Sequence, residues 1–167
     1  MGGSRTDLEN SGKSDVLALC ACFKARSAAR AVTALYDESL ETTGLKITQF
    51  ATLSVIRSRG TVSMQRLAEE LGLDPSTMSR TLRPLQAREL VQSGNGADRR
   101  IRELSLTRSG EKVFLECQKR WTRAQSRLRE RLGEDTFVRV LADLETVADR
   151  LNAFDDNLDK IQQNPSN

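Results

Sequence analysis

The chain has 167 residues, 38% of them hydrophobic, with 26 Lys+Arg against 23 Asp+Glu, three Cys, one Trp and no His. Without histidine there is no Ser–His or Cys–His nucleophile and no imidazole base. Three scattered cysteines neither complete a four-ligand zinc site nor make a disulfide scaffold. No apolar run reaches the roughly 18 residues of a membrane helix, and Met1–Asn10 lacks the apolar core of a signal peptide. The expectation is a cytoplasmic, non-enzymatic protein with reduced thiols, no metal and no cofactor.

Residues 1–13 are polar and contain Gly and Ser, and read as a disordered tail. Residues 15–42 read as one long helix, with Ala18, Cys22, Ala25, Ala29, Val32 and Tyr36 at alternating spacings of four and three on one face. Gly44 ends it. Thr48 to Ser58 reads as a second helix, with Phe50, Leu53 and Ile56 inward and Gly60 beyond its end. Ser63 is the N-cap expected for a short helix over 63–71. Gly72-Leu73 makes a turn. Asp74-Pro75 then restarts a helix to about Glu89, with Asp74 as N-cap and Pro75 in the first helical position. Pro84 lies inside that helix and is expected to kink it or weaken its last turn.

Leu90–Ser93 and Ile101–Thr107 read as two strands around a turn containing Gly94-Asn95-Gly96. From the N-cap Thr107 a long helix is expected to about Leu132, striped by Phe114, Cys117, Trp121, Ala124 and Leu128. Gly133 breaks it, and Glu134 to Leu158 forms a last helix with Phe137, Leu141, Leu144, Ala148, Leu151 and Leu158 on one side. The terminal helices carry broad apolar stripes that a middle module of about 60 residues cannot cover, which predicts intermolecular packing, most simply a twofold dimer.

The charge is segregated. Residues 57–110 carry ten basic and six acidic groups, 111–132 carry seven and three, and 133–159 carry two and eight. Twenty of the 26 basic residues are Arg, whose planar fork suits phosphates and base edges. A basic block between a neutral start and an acidic end points to an anionic polymer as partner.

Ala68, Gly72 and Met78 have the spacing of a helix-turn-helix. The small residue lets two helices approach, the glycine permits the turn, and the apolar residue locks the second helix on the first. With Met78, Leu82 and Leu85 inward, Ser76, Thr77, Arg80 and Arg83 project outward, with Ser79 among them, as candidate contacts to double-stranded DNA. The following hairpin carries Asp98, Arg99, Arg100 and Arg102. There Arg100 is the candidate for minor-groove insertion and Asp98 the carboxylate that orients it.

These residues together resemble the MarR family of bacterial winged-helix transcription regulators. The resemblance lies in the run from Leu67 to Arg80, then Leu85 to Val91, then Asp98-Arg99-Arg100 through Leu104, Leu106-Thr107 and Gly110, and extends over about residues 15–155. It implies a mainly α fold, a winged helix-turn-helix lobe over 46–107, and a helical dimerisation region over 15–45 and 108–160. It implies a homodimeric repressor that binds a palindromic operator and is released by a small phenolic or anionic ligand. The family's ligand cleft lies between dimer helices and lobe, where Arg26, Arg30, Tyr36 and Phe50 are the candidates here. The segment around Leu19-Cys20-Ala21-Cys22-Phe23 and Tyr36 resembles in part the organic-hydroperoxide-sensing branch, with Ile47 where that branch has a second tyrosine. Cys22, with Cys20, is therefore a candidate redox switch. On one continuous helix, however, the two thiols would point about 200° apart and could not pair without unwinding. A winged-helix module that binds an acidic protein rather than DNA is the remaining alternative.

Overall fold

The computed structural model describes residues 14–95 and 102–163. The expected tail 1–13 and the hairpin tip 96–101 lie outside the described residues. In chain order the elements are α1 (Ser14–Leu19), α2 (Ala21–Leu40), a 3-10 turn (Glu41–Thr43), α3 (Ile47–Arg59), β1 (Thr61–Ser63), α4 (Met64–Glu70), α5 (Pro75–Ala87), β2 (Val91–Asn95), β3 (Arg102–Leu106), α6 (Arg108–Leu132) and α7 (Glu134–Gln163). The fold is mainly α with one small antiparallel sheet, a winged helix-turn-helix. Residues up to Ala124 form one compact unit and those from Gln125 a second.

The first unit is built around a core of α3, α4, α5 and the sheet. Leu53, Ile56, Leu67, Met78 and Leu85 are fully buried there, joined by Phe114 and Cys117 of α6. Each element ends for a local reason. Gly44 and Gly60 close the 3-10 turn and α3 at positive φ, +68° and +74°, where a Cβ is disfavoured. The Ser63 hydroxyl accepts the Arg66 amide at 3.2 Å and starts α4. The Thr107 hydroxyl accepts the Gly110 amide at 2.9 Å and donates to the Glu89 carbonyl at 2.6 Å, so one side chain both caps α6 and ties it to the end of α5. Gly110 makes that junction tight, because a Cβ built on it would lie 2.0 Å from the Leu90 carbonyl oxygen.

The sheet has the order β1-β3-β2. Val62 pairs with Leu104, and Val91 with Leu106, so its inner face joins the core. Strand β1 is absent from the sequence reading. Three residues with only Val62 buried give no alternation to detect.

The single helix expected over 15–42 is corrected. The backbone leaves the helix at Cys20 (φ −78°, ψ 110°), which separates α1 from α2. Leu17, Ala18 and Leu19 are exposed, so no packing enforces one continuous helix through Cys20. The expected inward stripe of α2 is also mostly exposed. Ala25 and Ala29 face solvent, Val32 is half-buried, and burial begins at Leu35, Tyr36 and Leu40. Helix α5 runs through Pro84, which sits exposed one turn from its end, and stops at Ala87. Glu89 then takes a positive φ of 54°. In the second unit, Gly133 (φ +76°) starts the turn into α7. There Arg129 pairs with Glu134 at 3.2 Å and lies 4.9 Å over the buried Phe137 ring. Beyond Phe137, Leu141, Leu144 and Leu151 are all more than half exposed.

Candidate nucleic-acid interface

Helices α4 and α5 form the expected helix-turn-helix. Ala68 is buried between them, Gly72 takes φ +61° in the turn, and the Leu73 amide bonds back to the Ala68 carbonyl at 2.9 Å. Met78, Leu82 and Leu85 fix α5 on the core. That leaves Ser76, Arg80 and Arg83 exposed and Thr77 and Ser79 half-buried.

The start of α5 is held by Asp74. Its Oδ1 accepts the Ser76 and Thr77 amides at 2.9 and 3.0 Å, capping the helix. The Ser76 hydroxyl donates to Oδ1 at 2.6 Å and the Thr77 hydroxyl to Oδ2 at 2.5 Å. These bonds, the two hydroxyls first, hold the Asp74 carboxyl well below the usual carboxylate range. The carboxylate therefore fixes both hydroxyls and leaves their remaining lone pairs as acceptors. An Arg80 Nη contacts the Ser76 Oγ at 3.4 Å, which aligns the guanidinium along the same exposed face. This surface offers acceptors near the helix start and a cationic fork one turn later.

The wing follows directly. Gln86 at the end of α5 donates to the Ser93 hydroxyl of β2 at 3.1 Å. Arg102 opens β3 and is exposed. Asp98, Arg99 and Arg100 lie outside the described residues. Two features escaped the sequence reading. Arg88 donates to the Gly44 and Thr43 carbonyls, both at 3.0 Å, and so ties the end of α5 to the elbow after α2. It looked like one more cation in a basic block, and nothing in the sequence marks a contact across 44 positions. The other is an aromatic box. Phe50 stacks on Phe114 at 5.4 Å between centroids and lies 6.4 Å from the Trp121 ring. The sole Trp, lying in the α6 stripe, was its available signal.

The four candidate ligand residues fall in different places. Phe50 lines a cavity of about 470 Å³ between α3 and α6, with Phe114, Trp121, Leu71, Ser54 and Gln118 among its walls. Arg26 and Arg30 border a separate shallow groove along α2 with Thr33 and Asp37. Tyr36 is buried and lines neither; burial raises its phenol pKa. Of the thiols, Cys22 is exposed, Cys20 half-buried and Cys117 fully buried. Burial raises the Cys117 pKa and keeps it a thiol. Among the described residues no cluster of ligating side chains suits a metal ion, and no helix is long and apolar enough to cross a membrane.

Comparison with known proteins gives a consistent pattern. A family model described as MarR family matches residues 43–101. An uncharacterised HTH-type transcriptional regulator of Bacillus subtilis (strain 168), YwoH, is 30% identical over 88 residues, 53% of this chain and 64% of that protein. The match thus spans a little under two thirds of that relative. The crystal structure of the M. tuberculosis transcriptional regulator MosR in complex with DNA superposes with a TM-score of 0.71 at 31% identity, covering 80% of this chain and 97% of that one. The transcriptional repressor CouR bound to a 23-mer DNA duplex superposes with a TM-score of 0.74 at 25% identity, covering 83% and 99%.

Proposed function

The chain belongs to the MarR family, and on that premise we propose that it is a homodimeric, DNA-binding transcriptional repressor of a palindromic operator. The observation that carries the reading is α5 itself. It is anchored by three buried apolar residues and presents Ser76, Thr77, Arg80 and Arg83 on one face, and Arg102 stands exposed at the start of β3 in the sheet that follows. The DNA in the MosR and CouR structures supports the same partner for this chain.

In this reading α5 enters the major groove. Arg80 donates to guanine O6 and N7 or to phosphate, while the hydroxyls held by Asp74 approach base edges. Arg100, with Asp98 beside it, enters the minor groove, and Arg99 and Arg102 meet the backbone. Dimerisation sets two α5 helices roughly 34–36 Å apart, one turn of DNA. The exposed apolar residues of α7, Leu141, Leu144 and Leu151, support a second copy as their cover. A small effector bound at the helices flanking the lobe releases the DNA. The test is binding to random-sequence and selected duplexes across a salt series. The expected result is an enriched palindrome whose affinity falls steeply with salt. Absence of binding to any duplex at low salt would instead favour the acidic-protein partner.

A thiol switch is the second reading, and one observation favours it. The backbone leaves the helix at Cys20, so the two thiols do not lie on one continuous helix, and Cys22 is exposed. An organic hydroperoxide would oxidise the Cys22 thiolate to a sulfenic acid and leave as the alcohol. The Cys20 thiol would then displace water to form the disulfide. Intact mass should fall by two hydrogens and operator affinity should drop, both abolished in Cys22→Ser. Operator affinity unchanged by peroxide in the wild type would sink this reading.

A further inference from the structure

A hydroxyl carries one proton and two lone pairs, and where the proton points decides what the oxygen can read. At the start of α5 both protons are committed. The Ser76 hydroxyl donates to Asp74 Oδ1 at 2.6 Å and the Thr77 hydroxyl to Oδ2 at 2.5 Å. These are the short, charge-assisted bonds of an ionised carboxylate, which can only accept. The two oxygens of Asp74 are not equivalent. Oδ1 also accepts the Ser76 and Thr77 amides at 2.9 and 3.0 Å, whereas Oδ2 holds only the Thr77 hydroxyl among the described residues. The Ser76 oxygen further faces an Arg80 Nη at 3.4 Å, so the Thr77 oxygen is the acceptor with more left to offer.

From this geometry we propose that Asp74 sets the base preference of α5: by taking the Thr77 proton it makes that hydroxyl an acceptor only and directs it to the exocyclic amino group of adenine or cytosine. This deepens the proposed function and rests on it. In the major groove adenine N6 and cytosine N4 donate, while guanine O6 and N7 and thymine O4 accept. An acceptor-only oxygen set against a keto oxygen brings lone pair to lone pair, and turning its proton outward breaks the bond to the carboxylate. Phosphates are disfavoured for the same reason, because their oxygens also accept and the Asp74 charge repels them. Arg80 can only donate and supplies the opposite preference one turn later. The start of α5 therefore reads amino bases and the next turn keto bases.

Asp74→Asn tests the proton directly, because it keeps the shape and the capping strength of the side chain. The new amide must place its oxygen at Oδ1, since an NH2 there would face the two backbone donors, and its NH2 then falls on the Thr77 hydroxyl. That hydroxyl accepts from the NH2 and turns its own proton outward. Duplexes are selected from a random pool with the wild type, Asp74→Asn and Thr77→Val, each shown by circular dichroism to be folded. The wild type should enrich adenine or cytosine at one position on one strand of each half-site. Asp74→Asn should switch that position to guanine or thymine, and Thr77→Val should lose the preference there while keeping the rest of the operator. In the enriched duplex, replacing that adenine by purine, or that cytosine by pyrimidin-2-one, removes only the amino group. It should weaken wild-type binding about three- to ten-fold and leave Thr77→Val unaffected. The same base preference in Asp74→Asn and the wild type would overturn the proposal and leave DNA reading standing. A change of affinity in Asp74→Asn that is uniform across sequences would also overturn it, and would place Thr77 on phosphate. Failure of the wild type to enrich any duplex would overturn it together with the reading it rests on.

Discussion

Helices α5 and α7 carry similar apolar stripes and end in opposite situations. In α5, Met78, Leu82 and Leu85 are all buried in a core supplied by the same chain, so its polar face is free to read a partner. In α7, Leu141, Leu144 and Leu151 sit at comparable spacing and remain more than half exposed. Equal periodicity therefore does not mean equal burial. The lobe satisfies its hydrophobic pattern internally, whereas α7 presents a pattern that only a further surface can satisfy. One helix is finished and displays polar side chains; the other displays an uncovered apolar face.

The largest test of that contrast is to charge the unfinished helix. Leu144→Asp combined with Leu151→Asp should convert the dimer to monomer in sedimentation while the lobe's helical signal persists. A dimer that survives both changes would show that α7 is covered in some other way. Next in size is the junction that completes the lobe. Gly110→Ala drives a Cβ to 2.0 Å from the Leu90 carbonyl. It should cost about 3 kcal/mol or more and lower the melting temperature by several degrees or more. A melting temperature equal to wild type would mean that the α5–β2 turn is looser than this contact implies.

On the finished helix, Arg80→Ala should weaken operator binding by about 1–3 kcal/mol with relaxed base preference. Arg100→Ala should weaken it too. Wild-type affinity in both would remove these residues from the interface. The thiols give a smaller effect. Iodoacetamide should label Cys22 in the native protein and leave Cys117 unlabelled until denaturation, since burial both hides it and raises its pKa. Native labelling of Cys117 would show that the face of α6 opens.

The smallest effect concerns pH. The folded-state pKa of Asp74 is depressed, so its cap is at full strength above the unfolded carboxylate range and is lost only as pH falls through the lower folded value. Ser76→Ala with Thr77→Val should move that titration upward toward the ordinary carboxylate range, seen by NMR. An unmoved titration would mean that the backbone amides alone hold the carboxylate.

The legible parts of the molecule were those whose signals are local. Asp74 and Ser63 as caps, Gly72 and Gly133 as turns, and the inward set of α5 all act within four or five residues and were found by spacing. The features that escaped join distant segments or lack pattern. The Arg88 fork spans 44 and 45 positions to its carbonyls. The Phe50–Phe114–Trp121 box needs α3 and α6 brought together first. Strand β1 is too short to alternate, and it exists because β3 lies beside it. The break at Cys20 runs the other way: a periodic stripe suggested continuity, but the stripe from Ala18 to Ala29 is exposed, so no packing enforces one helix through Cys20. The outward side of α5 was likewise readable as a set, but not that the capping Asp74 carboxylate also holds its two hydroxyls.

The central claim is that the α5 faces of two copies read DNA sequence, and selection from a random duplex pool tests it most directly. The account predicts enrichment of an inverted repeat with half-site centres about one helical turn apart, lost in Arg80→Ala and in the Leu144→Asp/Leu151→Asp variant. Enrichment of a single non-repeated site, or none at low salt, would contradict it.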